Sequence, residues 1–330
     1  MTDLLKFTSK GIYCPQAHVY IDPWRKVERA LITHGHSDHA RAGMKRYLCT
    51  HGSKPVLLHR LGHQHHIDSV AFGEAVRING VTFSFHPAGH VVGSAQIRVA
   101  YRGEIWVVSG DYKVDDDGIS GTFEPIRCHT FITESTFGLP IYQWPDQRSV
   151  YRDINQWWRA NRNAGKTSVI SAYSLGKAQR IIQNVDHRIG PVFCHGAVEN
   201  MNKVMRVSGI DLKPTRPLDD ATSREELTRA LVVAPGSALN SPWMKRFKDC
   251  STAAASGWMA LRGRRRWQSV DRGFVLSDHA DWKGLNTTVK ATGAERVIVT
   301  HGYTEVYARW LREQGYDAIT EKTMYEGDED

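Results

Sequence analysis

Within seven positions the chain carries Thr33-His34-Gly35-His36-Ser37-Asp38-His39. Its three imidazoles would repel one another if protonated and gain little if left in solvent. With the carboxylate they offer borderline nitrogen and hard oxygen donors, the set that holds divalent transition metals. Short turns bearing a further donor recur downstream, as Gly89-His90, Ser109-Gly110-Asp111, Ser277-Asp278-His279 and Thr300-His301-Gly302. Taken singly, each is more often a turn or a satisfied buried group than a ligand. A carboxylate can bridge two cations with its two oxygens, so Asp111 is the natural partner for a second metal. The run His59, His63, His65, His66 is a rival, because His59 and His63 would share a helix face; with only Asp68 nearby, a partly exposed helix is the better reading.

Such donors must be held by rigid elements, and most of these motifs follow a short apolar run. Strands are expected over residues 29–33, 81–86, 104–109, 130–133, 273–277 and 296–300. Val81, Phe83 and Phe85 alternate as on a half-buried strand, whereas Val297, Ile298 and Val299 form a continuous buried run. Side chains just beyond strand carboxyl ends can converge on one site. Helices are expected over 149–164, stopping at Gly165, and over 303–314, stopping at Gly315, with a capping box at Ser223 and Glu226. Residues 150–268 are richer in helix signals, hold none of the donor motifs and read as an insertion.

The order His-x-His-x-Asp-His, Gly-His, Gly-Asp and two late histidines resembles the metallo-β-lactamase superfamily. Thr133-Glu134-Ser135-Thr136 and the late Ser-Asp-His and Thr-His-Gly motifs are similar to its β-CASP nuclease branch. The resemblance covers the whole chain. It implies an α/β architecture, an αββα metallo-β-lactamase sandwich with an inserted β-CASP-like cap: residues 1–149 and 269–330 would form the sandwich and 150–268 the cap. It also implies that His34, His36 and His90 hold one metal, Asp38, His39 and His301 a second, and that Asp111 bridges them. Asp38, Glu134 and His279 would be catalytic, with Glu134 orienting a ligand or His279 and His279 facing the scissile phosphate.

Two divalent cations sharing a water would lower its pKa from about 15.7 towards roughly 7, making a hydroxide available for in-line attack on phosphorus. Zinc suits the histidines, and the carboxylates also tolerate manganese. Within the insertion, Ser174, Gly176 and Lys177 stand where a strand runs into a helix, a start that favours anions. The segment is similar to the stretch that receives a terminal 5′-phosphate in the cross-link-repair exonucleases. Arg262, Arg264, Arg265 and Arg266, flanked by Trp258, combine phosphate-binding cations with a stacking surface. His301 is of the type found in RNA-processing members. The combination in a short chain nevertheless most resembles the bacterial ligase-associated DNA exonucleases and the DNA cross-link-repair nucleases. A DNA exonuclease working from the 5′ end in DNA repair, with a ligase as a partner, is therefore expected ahead of a β-CASP ribonuclease or a small-molecule metallo-hydrolase.

Composition fits that expectation. The 330 residues are 41% hydrophobic, enough for one large core or two adjoining ones, and the net charge of +8 favours a polyanionic partner. The five cysteines lie far apart and point to reduced thiols rather than disulfides or a cysteine metal site. No apolar run reaches the roughly 18 to 20 residues that cross a bilayer, and the first residues lack a signal-peptide apolar region, so a soluble cytoplasmic protein is expected.

Overall fold

The computed structural model describes residues 3–261, 263 and 269–325. The chain divides into two compact units, Met1–Tyr142 with His279–Glu329, and Gln143–Asp278. These divisions fall seven residues before and ten after the expected ends of the insertion at 150 and 268.

The first unit contains two sheets. One comprises β1 (Lys6–Thr8), β2 (Gly11–Cys14), β3 (Val19–Ile21), β4 (Arg29–Leu31), β5 (Arg46–Thr50) and β6 (Ile67–Val70), in that order. The other comprises β7 (Ala75–Ile78), β8 (Val81–Pro87), β9 (Ala95–Tyr101), β10 (Glu104–Val108), β11 (Thr130–Ser135), β18 (Arg296–Gly302) and β19 (Asp317–Thr320). Its order is β19-β18-β11-β10-β9-β8-β7, with parallel pairing from β10 through β19. Alternation along each strand sorts side chains between layers. Leu31, Val108, Ile132 and Ile298 enter a core shared by both sheets with Ile12, Phe83 and Ile97. Their neighbours Val107, Phe131, Val297 and Val299 point the other way, under helices Trp282–Thr292 and Thr304–Glu313, which bring Leu285, Val289, Tyr307 and Leu311. On the far side of the first sheet, Ala30, Tyr47 and Cys49 meet Leu57 of α1 (Lys54–Leu61). The unit is thus layered helix, sheet, sheet, helix, each sheet buried on both faces.

The second unit is built around a wholly parallel sheet. Its strands are β12 (Thr167–Ser171), β13 (Val192–Cys194), β14 (Arg216–Pro217), β15 (Leu231–Ala234), β16 (Cys250–Ala255) and β17 (Arg272–Phe274), ordered β14-β13-β15-β12-β16-β17. Ile170 and Val233 pack on one face with α2 (Gln147–Asn163), α3 (Lys177–Asn184) and α4 (Gly196–Val207), through Ile154, Trp158, Ile181 and Val198. Val169 and Val232 pack on the other with Leu227 of α5 (Arg224–Thr228), the helix that carries the expected Ser223–Glu226 capping box. The segment that reads as helix-rich is therefore a helix-covered parallel sheet. Its last strand, expected over 273–277 beside the donor-bearing strands, pairs instead with β16 in this unit. Among the described residues no helix is long and apolar enough to cross a membrane.

Candidate metal centre

β4 ends at Leu31, and the chain leaves its edge through Thr33 into the His34–His39 loop. Arg60 from α1 fastens that loop by donating to the carbonyls of Gly35 and Ala40. The neighbouring parallel strand β3 ends one residue before Asp22, whose carboxylate does most of the positioning. It accepts the Thr33 amide at 2.8 Å, the Thr33 hydroxyl, and His39 Nδ1–H at 2.8 Å. Because the Thr33 hydroxyl donates to Asp22, it can only accept from His34, whose Nδ1 lies 3.0 Å away. In their neutral forms both rings are thereby committed to the tautomer with a bare Nε2.

These two Nε2 atoms are buried and have no hydrogen-bond partner, and both lie 3.5 Å from Asp111 Oδ2. Asp111 is delivered after β10 by Gly110, which stands at φ +57 with space for a Cβ only 2.7 Å from Thr33 Cβ. Glycine there lets the two loops touch. His90 follows β8 in a turn whose Ser94 hydroxyl accepts the amides of His90 and Val91; its Nε2 lies 3.0 Å from His36 Nδ1 and 3.8 Å from Asp111 Oδ2. His34, His36, His90 and Asp111 bring donor atoms within 4.8 Å of one another, as do His34, Asp38 and His39, and Asp111, Glu134 and His279. Two orphaned imidazole nitrogens facing a buried carboxylate fit divalent cations: lone pairs without donors are costly in a dry site, and a metal satisfies both.

The electrostatics agree. Burial and the neighbouring imidazoles of His39 and His90 hold His34 well below its ordinary pKa, the neutral form that ligation requires. Burial alone would lower His39, but Asp111, Asp38 and Asp22 outweigh it and push it up to about 10, so its Nε2 holds a proton that a ligated cation would displace. Burial raises the Asp111 carboxyl well above the usual carboxylate range. A cation at this cluster would relieve both costs.

Glu134 and His279 make a separate arrangement. Glu134, on the buried strand β11, accepts from the Tyr112 amide at 2.8 Å, from the Thr136 hydroxyl, and from His279 Nδ1 at 2.9 Å. Burial would raise the Glu134 carboxyl, but His279 and these donors hold it below its ordinary value. His279 is the first residue of the first unit after the excursion of the chain, and its ring centroid is 4.7 Å from that of His90. His301 ends up beside Glu134 because β18 and β11 are parallel neighbours with a register shift between Thr133 and Ser135. It lines a pocket with His39, Asp111 and Glu134 but is outside the three close donor groups. His301 has φ 58, and at Gly302 a Cβ would lie 2.3 Å from the Ser135 carbonyl.

Other expected residues fall elsewhere. Ser174, Gly176 and Lys177 open α3 in the second unit, where Gly176 is the N-cap. The Gly176 amide is already taken by Gln179 Oε1, and the Lys177 side chain is buried with Nζ 5.7 Å over the Tyr173 ring. Trp258 is half-buried in a 3-10 turn, while Arg262, Arg264, Arg265 and Arg266 lie outside the described residues. The rival histidine run does not form a site: α1 stops at Leu61, so His63 is off the helix, and His59, His63 and His66 are exposed.

Sequence reasoning missed Asp22 and Tyr325. Asp22 was findable by the rule that singled out Asp111, a carboxylate just beyond an apolar strand. Tyr325 lies after the last strand, where its ring stacks on His39 at 4.2 Å and its hydroxyl donates to the Asp22 carbonyl at 3.2 Å. Asp22→Asn should leave the metal-holding residues in place but present an amide where His39 Nδ1–H needs an acceptor. Metal affinity, measured by competition with a chelator, should fall about 10- to 100-fold; unchanged affinity would show that Asp22 does not orient the ligands.

No family model matches the chain. Three curated proteins are similar in sequence. A protein named "Probable DNA ligase" from Opitutus terrae is 30% identical over 315 residues, covering 94% of this chain and 30% of that protein. An "RNase J-like protein" from Methanocaldococcus jannaschii is 24% identical over 192 residues, covering 50% of this chain and 45% of that one. "Endoribonuclease YSH1" from Saccharomyces cerevisiae is 30% identical over 122 residues, covering 36% and 15%. The chain thus spans less than half the length of each of these relatives. A solved protein of unknown function from Enterococcus faecalis shares the fold, with a TM-score of 0.57 at 11% identity over 82% of this chain and 74% of that one. The ordered histidine and aspartate motifs and these relatives, two of them named as ribonucleases, are consistent with the resemblance to the metallo-β-lactamase superfamily and its β-CASP nuclease branch.

Proposed function

We propose that the chain is a metal-dependent DNA exonuclease that hydrolyses phosphodiesters from the 5′ end in DNA repair. In this reading the first unit is the αββα metallo-β-lactamase sandwich and the second the β-CASP-like cap. The observation that carries it is the pair of buried, partnerless Nε2 atoms of His34 and His39 facing Asp111, beside the separately anchored Glu134–His279 pair. His34, His36 and His90 would hold one divalent cation, Asp38, His39 and His301 a second, and Asp111 would touch both, with zinc or manganese as the metals. When bound, such cations supply a water of lowered pKa and neutralise charge on the phosphate.

The chain's own groups account for the rest. Asp22 and Thr33 keep His39 and His34 in the ligating tautomer. Water oxygen bonds to phosphorus, the bond from phosphorus to the leaving sugar oxygen breaks, and that oxygen needs a proton. His279, its Nδ1–H held by Glu134, would face the phosphate and deliver that proton. Ser174, Gly176 and Lys177 would favour a terminal 5′-phosphate, and Trp258 with Arg262, Arg264, Arg265 and Arg266 would contact the strand.

The relative named as a DNA ligase, matched across nearly the whole chain, supports DNA and a ligase as partner. A ribonuclease is the second reading, favoured by the relatives named RNase J-like and endoribonuclease and by His301. Incubating 5′- and 3′-labelled DNA and RNA strands with zinc or manganese decides between them. Mononucleotides released from the 5′ end of DNA are expected, faster from a 5′-phosphate than from a 5′-hydroxyl. Cleavage of RNA alone would establish the second reading, and no cleavage of either would end both.

A further inference from the structure

Charge is divided unequally between the two units. Residues 143–278 carry 22 Lys and Arg against 12 Asp and Glu, a net +10, while the remaining residues carry 21 against 23, a net −2. The whole positive excess of the chain thus belongs to the second unit.

Part of that excess is arranged in a row. On α2, Arg148, Arg152, Arg159 and Arg162 are spaced by four, seven and three residues, which at 3.6 residues per turn keeps them within an arc of about 80° over about 21 Å of helix. Arg148, Arg152 and Arg159 are exposed and Arg162 is half-buried, while Ile154 and Trp158 on the adjoining face of the helix are in the core. The row is unfavourable for the helix itself. Arg148 and Arg152 are like charges at i and i+4, and Arg148 stands in the first turn at the positive end of the helix dipole, where the N-cap carboxylate of Asp146 is the acid that offsets it. A solvated helix face would mix signs; α2 carries a single acid, Asp153, well off the arc. Local choices that oppose their own element are expected where a surface serves a ligand.

Next to the row, Arg159, Arg162, Asn163, Asp186, Arg188 and Ile189 line a concavity. Asp186 is its only carboxylate, bound by Arg188 Nε at 2.8 Å and Arg159 Nη2 at 2.9 Å, and the Arg188 side chain remains 91% exposed. Hydrogen bonds from Arg188 hold the Asp186 carboxyl down at about 2, so it stays ionised, and three guanidinium groups against one carboxylate leave the concavity cationic. Guanidinium forks match phosphate oxygens in pairs. Along 21 Å one duplex strand presents about six phosphates, one per ~3.4 Å of axis, so the row and the concavity can engage several at once.

We propose that Arg148, Arg152, Arg159 and Arg162 of α2, with Arg188, form a surface that binds the phosphodiester backbone of a nucleic-acid strand without reading its sequence. The inference rests on the nuclease reading for the identity of the polyanion, and it assigns residues that the sequence motifs do not include. Backbone contacts of this kind act through counterion release, so the salt dependence of binding reports them directly.

The test uses the full chain in chelator, where binding is read by fluorescence anisotropy of labelled strands without cleavage. Arg148→Gln/Arg152→Gln/Arg159→Gln should reduce the slope of log K against log salt by about 2 on a single strand, roughly 0.7 for each phosphate contact, equally for unrelated sequences. A control that removes as much charge from the first unit, Arg25→Gln/Arg29→Gln/Arg46→Gln at exposed positions, should keep the wild-type slope. If the triple variant fails to fold by circular dichroism, Arg148→Gln and Arg152→Gln separately should each lower the slope by about 0.7. A wild-type slope in the variants overturns the proposal, as does an equal loss in the control, or competition by polyglutamate as strong as by unlabelled strand. Cleavage of the same strands by metal-loaded wild type is measured alongside. Cleavage with an unchanged slope in the variants removes the surface and leaves the nuclease, whereas row-dependent binding without cleavage removes the nuclease and leaves the surface.

Discussion

Asp111→Asn is expected to abolish cleavage and to strip metal from the protein. The carboxylate lies 3.5 Å from both His34 Nε2 and His39 Nε2 and 3.8 Å from His90 Nε2. Asparagine keeps the shape and removes the charge, leaving the imidazole donors without the anion that balances cations. Lewis-acid stabilisation is worth several kcal/mol, so the rate should fall by about 10³-fold or more even if some metal is retained. Two readouts check this: metal content by elemental analysis, and the rise in melting temperature that added zinc produces, which should be large in wild type and small in the variant. A variant with full metal and wild-type cleavage would remove Asp111 from the centre.

The second large effect is expected at His279, with the opposite signature. His279→Ala should keep most of the metal and lose on the order of 10² to 10⁴ in rate, the usual contribution of a positioned proton donor. Glu134 already accepts from Tyr112 and Thr136 and takes His279 Nδ1 at 2.9 Å, so this ring is oriented by a carboxylate, and the metal content of the variant separates a proton donor from a ligand. Glu134→Gln should lie between wild type and His279→Ala, because the amide keeps the shape while losing the charge that holds Nδ1–H. Metal loss in His279→Ala in proportion to its loss of rate would instead make His279 a ligand.

Much of the donor set was legible because its members announce themselves locally. His34, His36, Asp38 and His39 are nearly contiguous, and His90 and Asp111 each follow an apolar strand by a glycine-bearing turn. Asp22 follows an apolar strand as Asp111 does, but Tyr20-Ile21-Asp22-Pro23 has no glycine-bearing turn, and its hold on Thr33 and His39 depends on β3 and β4 being parallel neighbours, which nothing nearby in the sequence says. Tyr325 carries no local signal; its place beside His39 depends on the path of the chain after β19. In the second unit, short buried runs such as Val192–Cys194 and Leu231–Ala234 have no period that separates a parallel strand from a helix turn, so the helices around them dominated the pattern.

The long excursion between β11 and β18 also has a temporal side. β11 is buried along its whole length and takes β18 as its parallel neighbour, yet that partner is encoded only after the entire second unit. At synthesis rates of about 5–20 residues per second, the free edge of β11 waits on the order of ten seconds on the ribosome. The exit and re-entry points are held close in the finished unit, where the Trp282 amide bonds to the Tyr142 carbonyl at 3.1 Å, so the delay costs little once the chain returns. During the delay an apolar strand edge is open to other chains, and His279 and His301 have not yet been made. Nascent protein is therefore both adhesive and unable to complete its metal centre, and chaperone cover would matter most in that interval.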